Sequence, residues 1–224
     1  MTLLTNKHVI KDNDIPGVDS INNLNPTLTS PYSPYELPFY QTRDTLINTD
    51  TYRDFLNNAI SRFRRTRTYS NYKGFLIGLG LDRCQVHGNI NMEMATIEMH
   101  HNMINIMDIS IIITEHVINT RGYISTFDLI TLLKEEHKSH NIQLIMLSLT
   151  PHQLYHNADG FFIHPDNCIG NWYRFLEKYN KGITLDIAYK ILYFINTAIS
   201  KGSSDDNNLL SIRKKIIDWS ELNV

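Results

Sequence analysis

Two adjacent histidines, His100 and His101, close an apolar run at residues 95–99, and no other feature narrows the fold as much. A strand that ends in paired imidazoles needs a second element to complete whatever they build. Residues 142–149 supply one, a second largely apolar run that begins just after Asn141 and reads as a buried strand. Pro151 suits the first turn of a following helix. On that helix His152 and His156 stand four apart, so both imidazoles face the same way. Strand, strand and helix, bearing four histidines, describe a small centre that the rest of the chain frames.

The chain has ten histidines. His8, His87, His116, His137, His140 and His164 read as ordinary surface or core residues, whereas His100, His101, His152 and His156 are placed jointly. Two imidazoles one helical turn apart can bind one divalent ion, and a third from a packed strand completes a face. Three protein ligands leave a position open, the arrangement of a catalytic metal. The neighbouring histidine then stays free to take a proton from water as general base. The ion would neutralise charge developing on a phosphoryl group and its leaving oxygen. Metal-assisted phosphodiester hydrolysis is the chemistry this constellation suits.

The flanking sequence divides in order. Residues 1–49 hold Pro16, Pro26, Pro31, Pro34 and Pro38 without sustained periodicity, which predicts an extended arm. Residues 50–81 predict a basic amphipathic helix capped by Asp50 or Thr51, with Tyr52, Phe55, Leu56, Ala59, Ile60 and Phe63 on one face, then a lead-in strand or bend at residues 74–80. The end of that helix carries Arg62, Arg64, Arg65 and Arg67, followed by Tyr69, Tyr72 and Lys73. Such a cluster suits phosphate contacts and base stacking, although the helix dipole alone also favours arginines there. Because the net charge is −2, any nucleic-acid contact must be a local patch of this kind. The pair Cys84-x-x-His87 has metal-ligand spacing, but a turn with a buried thiol explains it better.

Between the two strands, Ile106, Ile109, Ile113 and Val117 predict a helix stopped at Arg121-Gly122. Ser125-x-x-Asp128 opens another, with Phe127, Ile130 and Leu133 inward and a solvated charged end at residues 134–140. Residues 161–182 read as irregular structure around 172–179. A helix over 184–200, with Ile187, Ile191, Ile195 and Ile199 in one stripe, and a last amphipathic helix at 209–219 complete the chain.

Glu98-x-His100-His101, the strand led by Asn141, and His152-x-x-x-His156 together resemble the HNH (His-Me finger, ββα-metal) endonucleases of phage or mobile-element type. The resemblance covers roughly residues 82–157. It implies that His101 is the general base and that His100, His152 and His156 ligate one divalent ion, whether Mg, Mn, Ni or Zn. Asn141 would hydrogen-bond across the loop and hold the base strand, and Arg62, Arg64, Arg65, Arg67 and Lys73 would grip DNA. The chain departs from the family at Ser148 and Pro151, which stand where a zinc knuckle has cysteines, and in the helical insertion at 103–140.

The expectation is therefore an α+β chain, a ββα-metal centre at 82–160 embedded in a mostly helical body, with a helical C-terminal region at 161–224. Its expected function is divalent-metal-dependent hydrolysis of DNA phosphodiester bonds. The alternative is a catalytically inactive nucleic-acid-binding or phage assembly subunit on the same scaffold, and a third reading is a structural metal protein. With two cysteines, no signal peptide and no run long enough to span a bilayer, the expected location is the cytoplasm, that of the host cell for a phage protein. The C-terminal helices leave self-association or a phage protein partner open.

Overall fold

Asn48 starts the first helix. Its side-chain oxygen accepts hydrogen bonds from the backbone N–H groups of Asp50 and Thr51 at 2.9 and 3.1 Å, so α1 spans Thr49–Arg64 and is capped earlier than Asp50 or Thr51 would cap it. The computed structural model describes residues 40–157 and 161–201. Most of the expected arm, residues 1–39, and the expected last helix at 209–219 lie outside the described residues. The arm's end is a short strand, β1 (Tyr40–Thr42), paired antiparallel with β3 (Tyr123–Ser125).

Where a lead-in strand was expected at residues 74–80, the chain continues as helix α2 (Arg67–Gly78), capped by Thr66. Gly74 and Gly78 misled the sequence reading, because glycine weakens a helix by about 1 kcal/mol. A Cβ at either position would meet nothing within 4 Å, so both glycines sit away from packed neighbours. The helix is held instead by Tyr72 and Leu76, both buried in the core.

Strand β2 (Ile97–His101) pairs antiparallel with β4 (Leu144–Ser148), in a register that sets His100 against Ile145 and His101 against Leu144. β4 is buried along its whole length. Its other edge is also occupied: Leu144 exchanges backbone hydrogen bonds with Ile169, and Met146 bonds the backbone and side chain of Gln85. Between the strands run α3 (Ile106–Arg121) and α4 (Thr126–Lys138). Each starts with a capping box, Asn105 with Asp108 and Ser125 with Asp128. Gly122 ends α3 at φ +90°, a conformation that favours glycine.

Helix α5 (Leu149–Asn157) packs on both β2 and β4. Residues 161–182 are more regular than expected, containing α6 (Trp172–Lys178) and two short 3-10 turns. At the second turn Gly182 lies against α3 so closely that a Cβ would fall 1.8 Å from the Ile112 carbonyl oxygen. The last described helix is α7 (Leu185–Lys201).

The core joins α1 to α4 with β4 through Phe63, Leu76, Ile109, Ile113, Leu129, Leu133 and Leu144. Three side-chain placements differ from expectation. Phe127 is exposed, and Leu129 takes the inward place beside Ile130 and Leu133. The charged end of α4 is solvated only in part: Glu135 and Lys138 are exposed, but Glu136, His137 and His140 are buried. On α7 the buried stripe is Ile187, Ile191, Phe194 and Ala198, while Ile199 is exposed. A constant step of four outruns the 3.6-residue turn, so the apolar face shifts to 194 and 198. The described residues are mixed α+β and mostly helical, with seven helices and two two-stranded sheets.

Candidate functional site

The pleat of β2 turns its alternate side chains to opposite faces, and this separates the histidine pair. Glu98 and His100 face α5. There the His100 ring lies 4.9 Å from that of His152 and 4.5 Å from that of Tyr155, both edge to face. His152 Nδ1 stands 2.8 Å from a Glu98 carboxylate oxygen. Burial pushes the Tyr155 hydroxyl up to about 12.

His101 goes the other way, towards α4. Its Nε2 lies 3.0 Å from Nε2 of His137. His137 Nδ1 lies 2.7 Å from the Leu133 carbonyl oxygen, which can only accept, so Nδ1 carries the proton. His137 Nε2 is then the acceptor, and His101 Nε2–H donates to it. The rings of Phe63, Tyr69 and Tyr72 pack around His137. Burial holds both imidazoles neutral: His137 is pushed down to about 4 and His101 well below the ordinary histidine value. His140, in the turn after α4, is lowered by burial too and shares a 2.8 Å hydrogen bond with the Tyr72 hydroxyl. A histidine cluster thus belongs to the interior, bridging β2 and the α1–α2–α4 layer.

Between these two environments a cleft of ≈ 370 Å³ opens over β2. Arg64, Tyr69 and Lys73 line it on one side, Asn105 and His152 on the other, with Glu98, His100 and His101 between. From the expected basic patch, Arg64 and Lys73 therefore reach the histidines. Arg62 donates back to Asn58 on its own helix, and Arg64 and Arg65 also border a shallow depression on the outside of α1. Arg67 starts α2 and is exposed. Arg62 and Arg64 occupy the last turn of α1, where the dipole favours them.

Asn141 does not hold β2. Its amide donates to Glu136 at 2.7 Å, while the backbone of Asn102 makes the bond across to Gln143. Glu136 also accepts from the Lys178 ammonium at 2.5 Å and the Tyr179 hydroxyl at 2.8 Å. Asn141 therefore serves a buried carboxylate that ties α4 to α6. His156 lies on α5 with His152, and its side chain is outside the described residues. The nearest approach to a ligand set is Glu98, His100 and His152. Among the described residues, no three His, Cys, Asp or Glu side chains are grouped so that they could hold a metal ion. Cys84 is buried in a turn, with the His87 backbone N–H directed at its sulfur.

Sequence reasoning missed His137, the partner of His101, and the link between Glu98 and His152. A signal for the first was present: Ile130, Leu133 and His137 continue one helical face into the charged run.

The sequence matches the family model of Bacteriophage G278-like virion proteins over residues 8–223. No curated protein and no solved structure matches it significantly. The match covers almost the whole chain and overturns the HNH endonuclease assignment, and with it the nuclease function and the reason for a DNA substrate. The local likeness arose because paired histidines on a strand also suit a packed interior, where both His100 and His101 are buried. No helix among the described residues is long and apolar enough to cross a membrane.

Proposed function

The chain belongs to the Bacteriophage G278-like virion protein family, and we propose that it is a non-enzymatic structural or assembly subunit of the phage particle. The family match over residues 8–223 carries this reading. The geometry of the histidine site supports it. His101 is buried, kept neutral, and donates to His137 between two packed layers, which is the work of an internal strut. Asn141 and Glu136 brace α4 against α6 in the same way. The His101–His137 and Asn141–Glu136 hydrogen bonds pair buried polar groups, as a stably packed interior requires.

On this reading the working location is the particle, and the partners are other virion proteins. The test is an immunoblot of density-gradient fractions from phage grown on host cells. The protein should band with infectious particles and stay with them through a high-salt wash. Recovery only in the soluble lysate fraction would sink the proposal.

A further inference from the structure

Helix α7 is apolar on two faces, and among the described residues only one is packed. Ile187, Ile191, Phe194 and Ala198 face the core, and Lys190 reaches Asp108 on α3 at 2.7 Å, which fixes the helix's rotation. The opposite face leaves Leu185 77%, Tyr189 69%, Leu192 54%, Tyr193 75% and Ile199 74% exposed. Five large apolar side chains on one surface helix exceed what a lone subunit ordinarily leaves in water.

Their spacing points to the occupant. Leu185, Tyr189, Leu192, Asn196 and Ile199 advance by alternate steps of four and three, a heptad seam interrupted by one amide. Such a seam fits another helix of the same periodicity, and a single polar residue in it sets register. The exposed parts of the five apolar side chains amount to roughly 700 Å², near the ~800 Å² that each partner gives to a standard interface. The ends carry opposite charges, Asp186 in the first turn and Lys201 in the last.

We propose that this face binds a second copy of the chain, α7 against α7, antiparallel across a two-fold axis near Leu192. In that arrangement Leu185 meets the partner's Ile199 and Leu192 meets the partner's Leu192. The Asn196 amide lies near the partner's Tyr189 hydroxyl. The two-fold makes the patch self-complementary, as an isologous interface requires. Parallel pairing would instead set the two Asp186 carboxylates side by side.

The inference does not depend on the particle role, because the purified full chain alone tests it. Light scattering after size exclusion should give a dimer mass for the wild type. Leu192→Glu should give a monomer with an unchanged far-UV circular dichroism spectrum. Its dimer dissociation constant should rise at least about 100-fold, since the charge replaces an apolar contact twice across the axis. Leu192→Cys should form an intermolecular disulfide on mild oxidation. A wild type that stays monomeric over the accessible concentration range overturns the proposal. So does a dimer that survives Leu192→Glu, or a Leu192→Cys chain that does not cross-link. A monomeric wild type that dimerises only after residues 202–224 are removed would show that the chain's own residues after 201 cover the face, which also overturns it.

Discussion

Acidification should unfold this protein in the range where the buried His101–His137 pair would have to accept protons. In the unfolded chain each imidazole takes a proton near 6.5, whereas folded His137 does so only at about 4. Between those values the unfolded state binds more protons, so stability falls as pH falls, and the full contribution is present above about 6.5. For His137 alone the gap corresponds to about 3 kcal/mol. His101 is depressed in the same direction, by burial first and by the neighbouring His137 second. Since the two rings share one hydrogen bond, they titrate as a pair. The steepest loss should approach that of two protons, roughly 2.7 kcal/mol per pH unit. Urea denaturation at half-unit steps from pH 7.5 to 4.5 reads this slope. In parallel, the His137 imidazole proton resonances should not titrate above about pH 5. A double variant, His101→Leu with His137→Phe, removes both titrations and should reduce the slope over the same interval, leaving the part owed to His140 and His116. The reasoning fails if wild-type stability changes by less than about 1 kcal/mol between pH 6.5 and 4.5, or if the double variant loses stability as steeply.

Three further outcomes follow from packing and hydrogen bonding. Glu136→Ala strands the buried Tyr179 hydroxyl and the Asn141 amide, while the half-exposed Lys178 can turn to water; the loss should be about 3 kcal/mol in urea denaturation. Gly182→Ala puts a Cβ against the backbone of α3, which no rotamer change can relieve. It should lower stability by at least about 2 kcal/mol, where Gly74→Ala on the open side of α2 should raise it slightly. Ser125→Ala removes the hydroxyl that accepts from the Asp128 backbone and donates to its carboxylate; a loss of about 1 kcal/mol, read from the thermal midpoint, is expected.

The helices between β2 and β4 were legible because their ends are written in local chemistry. Ser125 and Asp128 three apart mark a start, and Arg121-Gly122 marks a stop that needs φ +90°. β4 was legible from its unbroken apolar run. Helix α2 was not, because Gly74 and Gly78 count against a helix locally while Tyr72 and Leu76 hold it through contacts distant in sequence. The burial of Glu136 and His137 was hidden for a similar reason. Lys134, Glu135 and Lys138 surround them in sequence, but the 3.6-residue turn sends those side chains outward and these two inward.

The histidine site shows the sharper limit. The strand register and the position of α5 place the His100 ring 4.9 Å from that of His152. Spacing could not tell what the rings do once there. Whether His101 meets solvent or a second imidazole depends on α4 packing beneath β2, and that contact lies thirty-six positions along the chain. A catalytic base and an internal strut have the same local sequence signature. The surroundings of His101 and the family match over residues 8–223 are what favour the strut in the reading proposed above.

The most direct measurement of the central claim is copy number in purified particles by isotope-dilution mass spectrometry. A structural or assembly subunit predicts a fixed number of copies per particle. That number should be the same in independent preparations and after nuclease treatment and high-salt washing. A chain that is absent from the particles, or whose amount varies with residual lysate, would contradict the account.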